Sequence, residues 1–341
     1  MKSLVRKFAL LAAPFAALIA IELFVLPVDF FTFRVWEALT IQYVRPADGI
    51  FYPKMHVVKS EHADKLGFRD SNPRKVEWFT DAHGFRNRPR AVEPERYDIV
   101  VLGDSNIVGS SHDQKDTIAE VLERKCRCPV YSYGGASKRQ FFNDPRFRKN
   151  PPRVIVAEAI GAEFYKPSFA ALNYENLLGG PGAEQSFLPD ALAVTLDRLL
   201  KTNMLEFIRS RLHVQRYAAE KEAETPPAER VSFVVDMVVK MRDEAARRGS
   251  DFVFVLMPYD PTLDQAVIKL KELGVKTIAY LPSNERPQAA YLKSFYQDHD
   301  THWRAETVRT TADEILDLLG WTNTRPESQT DARSVSSSTQ P

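Results

Sequence analysis

The sequence predicts an α/β fold, a flavodoxin-like three-layer sandwich built around a parallel sheet. The first observation is a set of short apolar runs, such as Ile-Val-Val-Leu at 99–102, which are typical of parallel strands buried on both faces. The second observation is that these runs alternate with longer stretches of helical periodicity, as in doubly wound sheets. The predicted strands occupy residues 99–102, 129–132, 153–157, 251–258 and 276–281.

The predicted helices lie between these strands and after the last one. In residues 116–125, the apolar Ile118, Val121 and Leu122 fall on one helical face. Residues 265–273 are followed by Gly274, a residue type that commonly ends helices. Further helices are predicted at 189–212, 229–248 and 305–319.

Residues 1–27 are predicted to form a cytoplasmic tip and a signal-anchor helix. Three basic residues precede a largely apolar run at 8–26, close to the ~20 residues that span a bilayer. Pro14 and Glu22 interrupt this run. A cleaved signal peptide and a buried soluble helix are the alternatives. Because basic residues before a span stay in the cytoplasm, we expect a single-pass protein of the inner (cell) membrane whose remaining chain is periplasmic or otherwise extracytoplasmic.

Composition argues against several classes of function. The formal net charge is +1, with no basic stripe interleaved with aromatic residues, so no nucleic-acid partner is expected. The two cysteines, Cys126 and Cys128, have no accompanying His/Cys cluster of zinc spacing. No glycine-rich phosphate loop is present, so neither a metal nor another cofactor is predicted. The cysteines are open to three interpretations: small residues entering a strand, a disulfide formed in an oxidising compartment, or a bridge to another chain.

A nucleophile candidate, Ser105, directly follows the first strand of the predicted sheet. It ends a Gly103-Asp104-Ser105 turn at the carboxyl end of the strand, where open α/β sheets place their ligands. A serine hydroxyl needs a histidine to accept its proton, and a carboxylate usually orients that histidine. The late segment 298–303, Asp-His-Asp-Thr-His-Trp, contains both residue types.

Together these residues resemble the SGNH (GDSL-like) hydrolase superfamily over roughly residues 97–320. The resemblance implies that Ser105 is the nucleophile, that His302 is the base in preference to His299, and that Asp300 orients it. Asp298 is the alternative orienting residue or a surface charge, and the residues of the late segment alone also allow a solvated loop before a helix. In such a site, the serine oxygen attacks an acyl carbon.

The segment 300–303, Asp-Thr-His-Trp, looks like a signature of the membrane-anchored branch related to bacterial exopolysaccharide (alginate-type) O-acetylation proteins. In many of those proteins the signature precedes the serine, whereas here it follows, as in ordinary esterases of the superfamily. Trp303 and Asp104 are candidates for substrate contact or for support of the catalytic residues.

The resemblance also implies an oxyanion hole formed by the backbone amides of Ser105 and of Gly134 or Gly135, in the turn after the second strand. The residues alone leave that choice open and also allow an ordinary β-to-α turn. After the third strand the chain departs from the family pattern, because it carries Glu158 and lacks the usual asparagine donor. An ionised carboxylate cannot donate a hydrogen bond, so Glu158 is expected either to be structural or to touch substrate.

This interpretation divides the chain into four parts: 1–27, the tip and signal anchor; 28–95, a juxtamembrane segment and small N-terminal extension; 96–321, the SGNH-like catalytic domain; and 322–341, a disordered tail. We expect an exported acyl-ester enzyme, an O-acetyltransferase or O-acetylesterase acting on a cell-envelope polysaccharide or exopolysaccharide. The expected partners are that polysaccharide, the membrane and a membrane-bound acyl-transfer protein. The alternative is a weak or inactive polysaccharide-binding scaffold, which the missing asparagine favours.

Overall fold

The structure is a computed structural model that describes residues 2–32, 34–45, 47–61, 74–110, 112–160, 188–203, 205, 227–257, 262–279 and 302–321. Its strands are β1 (His56–Glu61), β2 (Arg74–Phe79), β3 (Ile99–Gly103), β4 (Val130–Gly134), β5 (Val154–Ile160), β6 (Asp251–Met257) and β7 (Lys276–Ala279). Its helices are α1 (Lys2–Phe24), α2 (Val35–Leu39), α3 (Ser105–Val108), α4 (Ile118–Cys126), α5 (Lys138–Asn143), α6 (Pro145–Lys149), α7 (Asp190–Lys201), α8 (Pro227–Arg247), α9 (Thr262–Glu272) and α10 (Ala305–Leu319).

The predicted parallel sheet is confirmed. Its strand order is β4-β3-β5-β6-β7, and every neighbouring pair is parallel. Ile99 of β3 is level with Val130 of β4 and with Val154 of β5. In this order the chain starts inside the sheet, moves to one edge and then crosses to the other side, as in flavodoxin-like folds. The switch point lies beside the carboxyl end of β3, where Ser105 follows.

Two hydrophobic layers cover the sheet, one on each face. Alternate residues of β3 point to opposite sides: Val100 packs with α5, α8 and α9, whereas Val101 packs with α4 and α10. The first layer includes Phe141, Val234, Met241, Leu263 and Leu270; the second includes Ile118, Leu122, Val308 and Ile315. The predicted three-layer arrangement is therefore observed.

Helix bounds differ from the predictions mainly in the middle of the chain. The helix predicted at 189–212 is described only as α7, which ends at Lys201, and residues 206–226 lie outside the described part. The short helices α3, α5 and α6 were not predicted, because segments of four to six residues carry too little periodicity to be recognised. The predicted tail at 322–341 also lies outside the described residues.

A smaller core joins the N-terminal region to the segment at 105–112, here called the serine segment. β1 and β2 form an antiparallel pair, and Trp78 of β2 packs with Phe51 and with Val35 of α2. Val108, the last residue of α3, belongs to the same cluster. The N-terminal extension therefore contacts the element that begins with Ser105.

At the N-terminus, α1 continues through Pro14 as one helix of 23 residues. Among the residues that the structure describes, no helix has both the length and the hydropathy needed to cross a membrane. The signal-anchor interpretation stays a prediction.

Candidate active site

The nucleophile candidate lies at the start of a short helix. β3 ends at Gly103, Asp104 caps the helix, and Ser105 is the first residue of α3. The Asp104 Oδ1 accepts a hydrogen bond from the Asn106 N–H (2.7 Å), which satisfies an amide that the helix itself leaves without a partner. Gly109, with φ of 76°, ends α3 in the left-handed region. The helix that begins with the half-buried Ser105 is thus capped at both ends.

Glu158 of β5 holds the turn that precedes Ser105. Its side chain is fully buried, and Oε2 accepts a hydrogen bond from the Asp104 N–H (3.1 Å). A Cβ atom on Gly103 would lie 2.3 Å from the same oxygen, so the carboxylate packs against the turn only because residue 103 is glycine. Of the two roles predicted for Glu158, this geometry matches structural support.

The two candidate oxyanion glycines lie beside the serine turn, but their amides are directed elsewhere. Gly135 donates its N–H to the Gly103 carbonyl (2.7 Å). Amides alternate along a strand, so the Gly134 N–H points to the same side as that of Ser132, which donates to Asn87 Oδ1 at the outer edge. Gly134 instead allows close packing, since a Cβ there would lie 2.7 Å from the Val108 amide nitrogen. The predicted oxyanion role of both glycines finds no support in these contacts.

The segment that carries the base candidate meets the serine helix directly. The Trp303 N–H donates to Asn106 Oδ1 (3.2 Å), and the Trp303 carbonyl lies 2.7 Å from His112 Nε2. His302 is 7% exposed and Trp303 is fully buried. The residue after Ser105 therefore binds the residue after His302. Trp303 packs with α4 and α10, so the structure assigns it to the core. Asp300, with Asp298 and His299, lies outside the described residues.

His112 is a neutral hydrogen-bond donor in this network. Burial lowers its pKa to about 4, with smaller contributions in the same direction from Arg86, Arg74 and His302; the hydrogen bond to Trp303 opposes them. Because a carbonyl oxygen can only accept, the proton of the neutral ring must be on Nε2. His112 therefore donates this proton to the Trp303 carbonyl.

Arg86 fixes the loop that carries His112. Its guanidinium donates to the carbonyls of His112 (2.7 Å), Val108 and Gly109 in the serine segment and to that of Glu77 in β2. It also stacks 3.6 Å from the Trp78 ring centroid. Burial lowers the pKa of Arg86 to about 9, so the group stays charged at neutral pH.

Sequence reasoning missed Asn106 and His112. Asn106 directly follows the candidate nucleophile, and His112 lies in the polar loop after α3. Polar side chains that follow closely after a predicted buried strand are the only signal that the sequence contains. The partner of both, Trp303, is separated from Asn106 by 197 positions, and no local pattern reports such a contact.

Two cavities in the described part lie away from Ser105 and His302. One, of about 270 Å³, lies between the end of α1 and α7 and is lined by Tyr52 and Lys201 among others. The other, of about 220 Å³, lies beside Arg88 and Arg90. Within the same described part, no group of three His, Cys, Asp or Glu residues could hold a metal ion.

The comparisons with known proteins find distant structural likenesses alone. No family model and no curated protein matches the chain. A protein described as lipolytic, of the G-D-S-L family, from Desulfitobacterium hafniense is 10% identical, with 64% of this chain and 98% of that one covered and a TM-score of 0.36. A family two carbohydrate esterase from Clostridium thermocellum is 11% identical, with 79% and 91% covered and a TM-score of 0.35.

A salicylyl-acyltransferase from a tetracycline biosynthetic pathway is 14% identical, with 79% of this chain and 73% of that one covered and a TM-score of 0.31. Other structural neighbours are GDSL-like lipases. At such low identities and TM-scores, these likenesses carry no argument about the activity of this chain.

Proposed function

We propose that this chain is a serine-dependent acyl-ester enzyme, with Ser105 as nucleophile and His302 as general base. The observation that carries the proposal is the hydrogen bond between the Trp303 N–H and Asn106 Oδ1. It brings the segment of His302 against the start of the serine helix, at the carboxyl end of β3 and the switch point of the sheet. Ligand sites of open α/β sheets lie at this place.

The chemistry follows from these two residues. His302 accepts the Ser105 proton while the serine oxygen bonds to the acyl carbon, and the ester C–O bond breaks as the proton passes to the leaving alcohol. A second acceptor, water or a sugar hydroxyl, then gives its proton to His302 and takes the acyl group from Ser105. If water takes the acyl group, the enzyme is an esterase. If a sugar hydroxyl takes it, the enzyme is a transferase. Asp300 is the proposed orienting carboxylate, and the Ser105 amide is the proposed oxyanion donor.

We extend the proposal to the setting of the enzyme. The substrate class is an O-acetylated or acceptor polysaccharide of the cell envelope, and the N-terminal segment anchors the chain in the inner membrane beside a membrane-bound acyl-transfer protein. The disulfide between Cys126 and Cys128 supports an oxidising compartment, because disulfides persist mainly in exported proteins. The apolar run at 8–26 supports the anchor.

A second candidate function is a polysaccharide-binding scaffold without catalysis. Glu158, placed where a hydrogen-bond donor would be expected, is buried and accepts from Asp104. The Gly135 amide is already engaged by the Gly103 carbonyl, and the Gly134 amide, by alternation along the strand, points to the outer edge of the sheet. A weak oxyanion hole favours this alternative, since loss of one donor elsewhere costs ~10²–10³ in rate.

Covalent labelling of the purified full-length protein with a fluorophosphonate probe separates the two candidates. The enzyme proposal predicts phosphonylation of Ser105 with release of fluoride, abolished in Ser105→Ala. Ser110→Ala is the matched control, because Ser110 lies in the same segment and is buried; it should label like the wild type. If the folded wild-type protein is not labelled while it binds an envelope polysaccharide, the scaffold is favoured.

A further inference from the structure

Both backbone polar groups of Trp303 are held by side chains of the serine segment. Asn106 Oδ1 accepts from the Trp303 N–H, and His112 Nε2 donates to the Trp303 carbonyl. Asn106 and His112 are each 5% exposed, and Trp303 is fully buried. Since buried hydrogen bonds have little competition from water, these two contacts fix the peptide groups on either side of Trp303.

The first of these peptide groups joins His302 to Trp303. This peptide group is bonded to the Cα atom of His302, so its orientation helps to set the direction of the His302 side chain. The hydrogen bond to Asn106 can therefore position the base without touching its ring. The His112 contact stops the next peptide group from rotating. A misplacement of a reacting group by ~1 Å can cost ~10²-fold in rate, so the position of this peptide matters for a base.

The serine segment, whose side chains hold Trp303, is itself linked to the N-terminal extension. Arg86 donates to the His112 carbonyl at 2.7 Å and stacks on Trp78 of β2. The contacts thus run from β2 through Arg86 and His112 to Trp303. The segment of His302 is held from the serine side of the site by a chain of buried groups.

We propose that Asn106 and His112 are positioning residues that set the orientation of His302, an inference that rests on the proposed acyl-ester function. Asn106 acts as an acceptor and His112 as a neutral donor. Neither side chain is assigned a contact with substrate. The prediction is that their loss slows the chemical step and leaves binding of the substrate or probe unchanged.

The test measures fluorophosphonate labelling of the full-length protein over a range of probe concentrations, which separates the maximal labelling rate from the probe affinity. His112→Leu and Asn106→Leu remove the two hydrogen bonds and should lower the maximal rate by ~10²-fold, with unchanged probe affinity. His112→Gln places an amide N–H near the position of Nε2, and Asn106→Asp keeps an acceptor oxygen. Both should recover most of the rate.

Asn87→Leu is the matched control for lost stability. Asn87 makes two hydrogen bonds with the backbone of Ser132 and donates a third to the Asp81 carboxylate, and none of these hydrogen bonds involves Trp303. This variant should keep the wild-type maximal rate.

The positioning role is overturned if His112→Leu and Asn106→Leu label as fast as Asn87→Leu, or if the conservative variants are as slow as the leucine variants. In that case a labelled wild-type protein still supports the proposed function. If the folded wild-type protein is not labelled at Ser105 at all, the proposed function fails, and the positioning role fails with it.

Discussion

The two halves of the candidate site are held in different ways. On the serine side, the two strands that neighbour β3 hold the turn: Gly103 is level with Gly134 of β4, and the Asp104 amide donates to the Glu158 carboxylate of β5. On the histidine side, two side chains from the serine segment hold the backbone of Trp303. The serine half is therefore built from the sheet, and the histidine half depends on the serine half. Substitutions on the two sides should therefore differ in how much they lower the labelling rate and the free energy of unfolding.

The largest expected effect is on the base itself. His302→Ala removes the group that accepts the Ser105 proton and should slow fluorophosphonate labelling by about 10²–10⁴-fold. His83→Ala is the matched control, because His83 is half exposed and its side chain pairs with the partly exposed Asp48 carboxylate. Labelling of His302→Ala at the wild-type rate would remove His302 from the mechanism.

The next largest effect is expected for Arg86, which binds backbone carbonyls in the serine segment and in β2. Arg86→Met leaves the carbonyls of Glu77, Val108, Gly109 and His112 without this donor, at a cost of about 3 kcal/mol or more in the free energy of unfolding. Arg88→Met is the control: Arg88 is 43% exposed and pairs with Glu77 and Glu120, so about 0–1 kcal/mol is expected. Urea denaturation measures both, and equal losses would contradict the anchoring role of Arg86.

Acid should lower the free energy of unfolding through His112, which holds the histidine half of the site. Its pKa is 6.5 in the reference state and about 4 in the folded protein, so between these pH values the unfolded chain binds a proton that the folded protein does not. The contribution to stability is therefore full above pH 6.5 and falls as pH drops towards 4, by about 3 kcal/mol.

Urea denaturation of wild type and His112→Gln across pH 4–7 isolates this contribution, because glutamine keeps a donor and does not titrate. The charged and titratable groups that act on His112, namely Arg86, Arg74 and His302, are unchanged in the variant. Parallel pH profiles for the two proteins would show that His112 is not buried in its neutral form.

The smallest effect is expected on the serine side. Glu158→Leu leaves the Asp104 amide without its acceptor and should cost about 1–3 kcal/mol, whereas Glu158→Gln keeps a carbonyl oxygen in reach and should cost less. Thermal denaturation of the two variants compares them directly. Equal destabilisation would mean that the charge of Glu158, and not its acceptor oxygen, supports the turn.

The sequence predicts the serine half better than the histidine half, for a physical reason. β3 and β6 are buried on both faces, so apolar runs at 99–102 and 251–258 mark them locally. Ser105 follows from its place after β3. The contact of Asn106 with Trp303 depends on tertiary packing between segments far apart in the chain, and so does the supporting role of Glu158. The directions of the Gly134 and Gly135 amides depend on the register of β4, which composition does not determine.

Trapping of an acyl-enzyme would show whether Ser105 is the nucleophile of an acyl-ester enzyme. The full-length protein would be mixed with p-nitrophenyl acetate, quenched in acid and digested for peptide mass spectrometry. We expect one acetyl group on Ser105, formed together with a burst of nitrophenol and absent in Ser105→Ala. An acetyl group on another residue, or release of nitrophenol at the same rate from wild type and Ser105→Ala, would contradict this expectation.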